Sequence, residues 1–252
     1  CYFLNSSVES GTNQGYGGGL QFGINETNYK ASVEIKNCVF LGNSAPKGGG
    51  ALSLEVTYDI SIEDTIFEEN SASESAGAIQ FTQIAVPDSY WKSQTISIKK
   101  CNFTNNQGKT VNAIFIPRCK DAIIEGCEFT DNRNDGHSSP DISIENNVAA
   151  LNIQSSKFKH TADDIFGRVV DVLSHEFTFI SSSTTNYNNN VNNAANAISL
   201  DSNLVFSVIE NSIFEDNGNT QRNGFVIQSR SKELLFTNNT INFTTLEKSA
   251  CG

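Results

Sequence analysis

The 252-residue chain carries a formal net charge of −11, and its 17 Lys and Arg are scattered. That excludes a nucleic-acid binder, which needs a basic face to displace counterions. A hydrophobic fraction of 38% is low for a compact globule of this size, and no apolar run approaches the roughly 20 residues of a transmembrane helix.

In chain order, the first element is Cys1-Tyr2-Phe3, followed by Gly17-Gly18-Gly19-Leu20, a small-residue run opening a strand. A surface insertion is expected at about residues 24–32. The alternating strand Val33-Glu34-Ile35 then leads into Cys38-Val39-Phe40-Leu41-Gly42-Asn43. Gly49-Gly50-Ala51-Leu52 repeats the small-residue start, with Leu52, Leu54 and Val56 alternating against Ser53 and Glu55. Period 2 puts one set of side chains inward and the other outward. Ile60-Ser61-Ile62 leads into Thr65-Ile66-Phe67-Glu68-Glu69-Asn70, and Ala76-Gly77-Ala78-Ile79 opens the next strand. A second insertion, at about 83–94, holds Pro87 and the only Trp, Trp91. Ile96-Ser97-Ile98 precedes Cys101-Asn102-Phe103-Thr104-Asn105-Asn106, then Asn112-Ala113-Ile114 and Ile123-Ile124-Glu125 precede Cys127-Glu128-Phe129-Thr130-Asp131-Asn132. Later copies are Ser156-Lys157-Phe158, Asn196-Ala197-Ile198, Ser212-Ile213-Phe214-Glu215-Asp216-Asn217 and a weak one around Thr240.

The Cys/Ser/Thr slots fall near 1, 38, 65, 101, 127, 156, 183, 212 and 240, a mean step of about 30 residues. A fixed period of that length means a solenoid whose repeats bury their apolar faces only against their neighbours. The expected fold is all-β, a right-handed parallel β-helix of about nine coils stacked roughly 4.8 Å apart. It forms one domain over residues 1–252. The chain has no Met and opens within a repeat, so it reads as a segment of a longer protein. Asn is over-represented, with 31 residues and a dense patch over 186–196. Asn suits left-handed turns and stacked hydrogen-bonded ladders, and a compositional bias explains its abundance equally well.

Gly49-Gly50-Ala51-Leu52 and Phe40-x-x-Asn43 resemble the GGA(I/L) and FxxN repeat motifs of chlamydial polymorphic outer-membrane proteins, and more widely the pectate-lyase-like β-helix proteins. The likeness covers nearly the whole chain and weakens between about 140 and 200. It implies surface display and adhesion, although no outer-membrane barrel is evident, and fold-level likeness does not carry function.

Four of the six Cys, at 1, 38, 101 and 127, share the inward slot. Slot-mates in adjacent coils lie within disulfide reach, which suggests Cys1–Cys38 and Cys101–Cys127, with Cys119 paired to Cys251 or free. The competing reading is a column of buried thiols, because Thr65, Ser156 and Ser212 fill the same slot. No CxxC occurs and His137, His160 and His175 are remote from the Cys in sequence, so no metal or other cofactor is expected. Five Asn-x-Ser/Thr sequons occur, at Asn5, Asn25, Asn102, Asn238 and Asn242. Asn102 stands between two inward residues and must point outward, and Asn25 lies in an expected insertion. With the Cys, they favour a secreted glycoprotein carrying asparagine-linked glycans.

Polysaccharide-active β-helices need converging carboxylates, or acidic calcium ligands with a base. The candidates are Asp131, Asp135 and His137, and Asp163-Asp164 with Arg168; all read more simply as corner loops, so no catalytic residue is assigned. Glu34, Glu63, Glu125 and Glu210 suggest an exposed acidic stripe. The function expected is an extracellular structural or adhesive rod that self-associates end to end into filaments or contacts other surface and matrix proteins. The alternatives are a polysaccharide lyase or hydrolase, and a carbohydrate-binding module using Trp91, Tyr90 or Tyr187.

Overall fold

The structure, a computed structural model, describes residues 1–8, 15–23, 32–55, 58–82, 93–132, 139–160, 169–174, 176–185, 197–200, 204–215 and 227–242. Both expected insertions, at 24–32 and 83–94, lie almost wholly outside them. Every regular element in the described residues is a strand, and every strand pair is parallel. The expected parallel β-solenoid is what forms.

One sheet stacks nine strands, one from each copy of the motif. It runs Tyr2–Leu4, Val39–Leu41, Ile66–Glu68, Asn102–Thr104, Glu128–Thr130, Lys157–Lys159, Ser183–Thr185, Ile213–Glu215 and Thr240–Asn242. The pairing is in register throughout, so Phe40 sits on Phe67, Phe67 on Phe103 and Phe103 on Phe129. Register also corrects the slot positions in the two weakest copies. Ser183 pairs with Ile213 and Ile213 with Thr240, which places Ser182 and Asn239 in the slot rather than residues 183 and 240.

A second sheet of 14 strands carries the other two tracks: the small-residue strands such as Leu52–Glu55, and the strands such as Ile60–Glu63 that precede each slot. The tracks fuse in two coils into the long strands Ile114–Glu125 and Ile142–Gln154. Their pairing shifts register between Ile116 and Arg118, at Pro117, where a residue without an N–H belongs at a bulge rather than in the ladder.

Each coil turns at two left-handed corners. The residue before every described slot from Cys38 onward has positive φ: Asn37, Asp64, Lys100, Gly126, Ser155, Ser181, Asn211 and Asn238. A second set, Asn5, Gly42, Glu69, Asn105 and Asp131, precedes the FxxN Asn or its equivalent. Such backbone costs an L-residue roughly 1 kcal/mol or more, least for Gly and Asn. Five of the Asn therefore have a corner role, and four more have a ladder role.

The ladder runs Asn43–Asn70–Asn106–Asn132, all fully buried. The Asn106 Oδ1 accepts from the Asn70 backbone N–H at 3.1 Å and from Asn70 Nδ2 at 3.0 Å. Its Nδ2 donates to the Phe67 carbonyl at 2.9 Å and to Asn132 Oδ1 at 2.9 Å. Asn70 repeats this toward Phe40 and receives it from Asn43. Beside it, Phe3, Phe40, Phe67, Phe103, Phe129 and Phe158 form one stack, with successive centroids 4.5–5.1 Å apart and planes within 8°. In the seventh copy Thr184 takes the Phe position, and Phe179 from the neighbouring track fills the gap, tilted 30° to Phe158. That exchange is why the motif fades in the sequence there.

Close packing at the small-residue corner is equally strict. A Cβ on Gly50 would lie 2.3 Å from the backbone oxygens of Gly77 and Ser71, which cannot move away.

Removing one ladder side chain strands several buried polar groups at once. Asn106→Ala is expected to lower the unfolding free energy by about 3 kcal/mol or more, comparable with Phe103→Ala at about 3–5 kcal/mol, measured by chemical denaturation. An Asn106→Ala effect below about 1 kcal/mol would show that water replaces the ladder.

Candidate functional surfaces

The inward slot first. Its side chain donates to the carbonyl two residues back: Thr65 Oγ1 to Glu63 at 2.9 Å, Ser156 Oγ to Gln154 at 2.9 Å, Ser182 Oγ to Ile180 at 3.0 Å and Ser212 Oγ to Glu210 at 2.9 Å. The same oxygen accepts the slot N–H of the preceding coil, as between Ser156 N and Ser182 Oγ at 3.1 Å. Asn239 serves with its amide, accepting from Ser212 N at 2.9 Å. Cysteine does the same with a weaker donor: Cys38 Sγ reaches Lys36 O at 3.3 Å, Cys101 Sγ reaches Lys99 O at 3.1 Å and Cys127 Sγ reaches Glu125 O at 3.5 Å. The slot thus selects small hydrogen-bonding side chains.

Cys1, Cys38, Cys101, Cys119 and Cys127 are free thiols in the structure, so the bonds Cys1–Cys38 and Cys101–Cys127 suggested by the slot are not formed there. Cys251, the possible partner of Cys119, lies outside the described residues. Cys101 and Cys127 share a hydrogen bond that, with burial, pushes the Cys101 thiol far above its ordinary range. Burial likewise pushes Cys119 up.

The expected acidic stripe is corrected by register. Glu34 pairs with Ser61, whereas Glu63 lies between Lys36 and Lys99, and Glu125 follows Lys99. Successive coils therefore alternate in charge along Lys36–Glu63–Lys99–Glu125. Lys36 Nζ lies 3.3 Å from Glu63 and Lys99 Nζ lies 2.8 Å from Glu125, with Lys100 adding a contact to Glu63 at 3.6 Å. The hydrogen bond from Lys36 holds the Glu63 carboxyl below its usual range, and the bond to Glu125 raises Lys99. A bridging cation is not required to hold this row together.

Of the catalytic candidates, Asp131 is a half-buried corner residue with φ 49° that positions ladder residue Asn132. Asp135, His137, Asp163, Asp164 and Arg168 lie outside the described residues, as do Trp91, Tyr90 and Tyr187. Among the described residues no group of three or more His, Cys, Asp and Glu is placed to hold a metal ion. Sequence reading missed one buried pair of polar side chains: His160 Nε2 lies 3.9 Å from Asp141 Oδ2, both almost fully enclosed. Asp141 stands where other coils have Ala78 or Ala113, a substitution visible only once the coils are aligned.

Asn5, Asn102, Asn238 and Asn242 are all exposed, and Asn25 lies outside the described residues. On the outward face of the nine-stranded sheet, Tyr2, Val39 and Ile66 form one row with Asn102, and Leu4 and Leu41 flank it. Beyond Asn102 the row becomes charged, with Lys157 Nζ 3.1 Å from Glu128.

Two measurements check these assignments. Alkylation of the native protein should label Cys1 and spare Cys38, Cys101, Cys119 and Cys127, whereas denaturation without reductant should expose all five. Paired loss of label at Cys101 and Cys127, restored by reductant, would reveal a disulfide instead. The Lys36–Glu63 contribution exists above the ordinary carboxylate value of 4.5 and below the ordinary lysine value of 10.5. It is lost as pH falls through the lowered Glu63 value or rises through the raised Lys36 value. Thermal melts across pH should therefore show the difference between Glu63→Gln and wild type narrowing toward both extremes, and remaining small between them because the row is exposed.

A profile of the right-handed beta helix region matches residues 86–245, more than half of the chain. The Chlamydia polymorphic membrane protein repeat matches residues 37–55, which hold the Cys38–Asn43 motif and the Gly49-Gly50-Ala51 corner. Searches of curated proteins and of solved structures return no significant match. Parallel pairing in every sheet, the stacked Phe column and the profile match agree: the chain belongs to the right-handed beta helix family.

Proposed function

We propose that this chain is a rigid, surface-displayed β-helix rod, an extracellular structural or adhesive glycoprotein element rather than an enzyme. The observation that carries the reading is the assignment of its repeated residues. The ladder Asn, the stacked Phe and the slot Ser, Thr and Cys are all consumed in holding coil on coil. Asp131, the catalytic candidate within the described residues, is spent on a corner. The polymorphic membrane protein repeat points to the cell surface.

The finer reading is end-to-end assembly of such rods. Leu234, Phe236 and Ile241 occupy inward positions, in register with Ser207, Ile209 and Phe214, yet are 42%, 41% and 43% exposed. Burying such surface is worth about 25 cal/mol per Å², and parallel strands are a template for another parallel strand. A further coil stacked in register supplies both, and in the assembly reading a second copy provides that coil, giving a filament.

Light scattering with electron microscopy of the native protein tests this. Mass growing with concentration and rods of uniform width are expected, and Phe236→Asp should reduce assembly. Monodisperse monomers at high concentration would remove the filament, and a polysaccharide-cleaving activity would remove the structural reading.

A further inference from the structure

Asn102 lies at the boundary between two kinds of surface, and its chemistry matches one of them. It sits on the strand Asn102–Thr104, exposed, between the buried Cys101 and Phe103. The Thr104 hydroxyl completes its sequon on the same outward face. Its partner in the preceding coil is Ile66, which is 38% exposed although strands pair on both sides of it. Val39 and Tyr2 continue the row at roughly 10 and 14 Å, with Leu41 and Leu4 beside them. Tyr2 is 77% exposed and Leu4 51% exposed. In the other direction the row turns to the Glu128–Lys157 ion pair. An apolar band, the row Tyr2–Val39–Ile66, thus ends at an outward sequon, flanked by Leu4, Leu41 and the half-buried Glu68, with the Glu128–Lys157 ion pair on the far side.

We propose that Asn102 carries an asparagine-linked glycan whose first sugars lie back over Ile66 and Val39 toward Tyr2, covering the apolar band. This rests on the surface-glycoprotein reading and extends it by naming the site and the surface. In the attachment step Asn102 Nδ2 bonds to the anomeric carbon of an N-acetylhexosamine on a lipid-pyrophosphate donor. The carbon–oxygen bond to the pyrophosphate breaks, the lipid pyrophosphate leaves, and Nδ2 gives up one proton. Pyranose rings present C–H faces that pack on aliphatic and aromatic side chains, whereas their hydroxyls remain in water. Ile66, one strand spacing away, meets the first sugar; the ring of Tyr2 meets sugars further along. A bare apolar band of this kind on a flat sheet face invites association through that face, and the glycan prevents it while leaving the coil ends free.

Peptide mapping of the protein purified from its native source, after amidase release of glycans in heavy-oxygen water, reads occupancy at each sequon. Native deglycosylation followed by binding of an apolar fluorescent dye reads the covered surface, with Ile66→Thr and Tyr2→Ser as controls. The expected result is glycan on Asn102, a rise in dye fluorescence on its removal, and loss of most of that rise in the Ile66→Thr, Tyr2→Ser protein. Asn102 bare while Asn5, Asn238 or Asn242 is occupied would overturn the site and leave the glycoprotein reading intact. Sugar at none of the sequons would overturn both. Occupied Asn102 with unchanged dye binding would overturn the covering role.

Discussion

Coil-to-coil stacking over the first five copies of the motif depends on the buried asparagine ladder. At the corner after each Phe, the chain turns through a left-handed residue, and the backbone N–H of the following Asn would be left without a strand partner. The side-chain oxygen of the next Asn accepts it, and the side-chain nitrogen answers the Phe carbonyl of the coil before. Each Asn thus satisfies groups from coils on both sides, and a shift of one residue would break every rung. An unmet buried polar group costs about 1–3 kcal/mol, so register is enforced several times over. That surplus offsets the cost of positive φ at Glu69 and Lys100 in the same coils.

The Phe stack and the slot column follow from the same constraint. Once register is fixed, like residues lie one strand spacing apart, and flat rings can stack face over face with their planes nearly parallel. The slot needs a side chain short enough for the interior, able to donate to its own turn and accept from the next coil. Ser, Thr, Cys and one Asn meet that need, which is why they interchange. The seventh copy shows the tolerance of the arrangement. Phe179 supplies from a second track the volume that Thr184 lacks, and the rings pay with a less parallel contact.

What the sequence made legible was whatever repeats at a fixed place within the copy. Phe40, Phe67, Phe103, Phe129 and Phe214 read as inward, and so did the slot and the small-residue corners. What stayed hidden depends on alignment between copies of unequal length. Glu34 and Glu63 look equivalent in a list of strands, yet sit two residues apart in register, and the column through Glu63 contains lysines. Ser182 and Asn239 were each displaced by one residue for the same reason. The Cys pairs were seen correctly as slot-mates, but nearness in a slot says nothing about whether two thiols bond when hydroxyls do the same work beside them. Asp141 gave no local signal because it replaces the small residue that marks the motif at Ala78 and Ala113, and His160 lies just past the incomplete copy Ser156-Lys157-Phe158.

These assignments narrow where function can reside. The described ladder Asn, stacked Phe and slot side chains are committed to neighbouring coils, so a partner meets outward rows, corners and coil ends. The row Lys36–Glu63–Lys99–Glu125 alternates in sign, so its charges pair along its length. It therefore offers little long-range attraction or repulsion for a partner, since exposed paired charges are screened within about a Debye length. The outward face of the nine-stranded sheet differs: apolar near Tyr2 and Ile66, polar at Asn102, ionic at Glu128 and Lys157. A face graded in this way along the stacking axis differs from one end to the other, so copies aligned end to end, as proposed, would present the same sequence of patches at a fixed spacing. The register that the asparagine ladder enforces is thus what fixes the order of those patches along the axis.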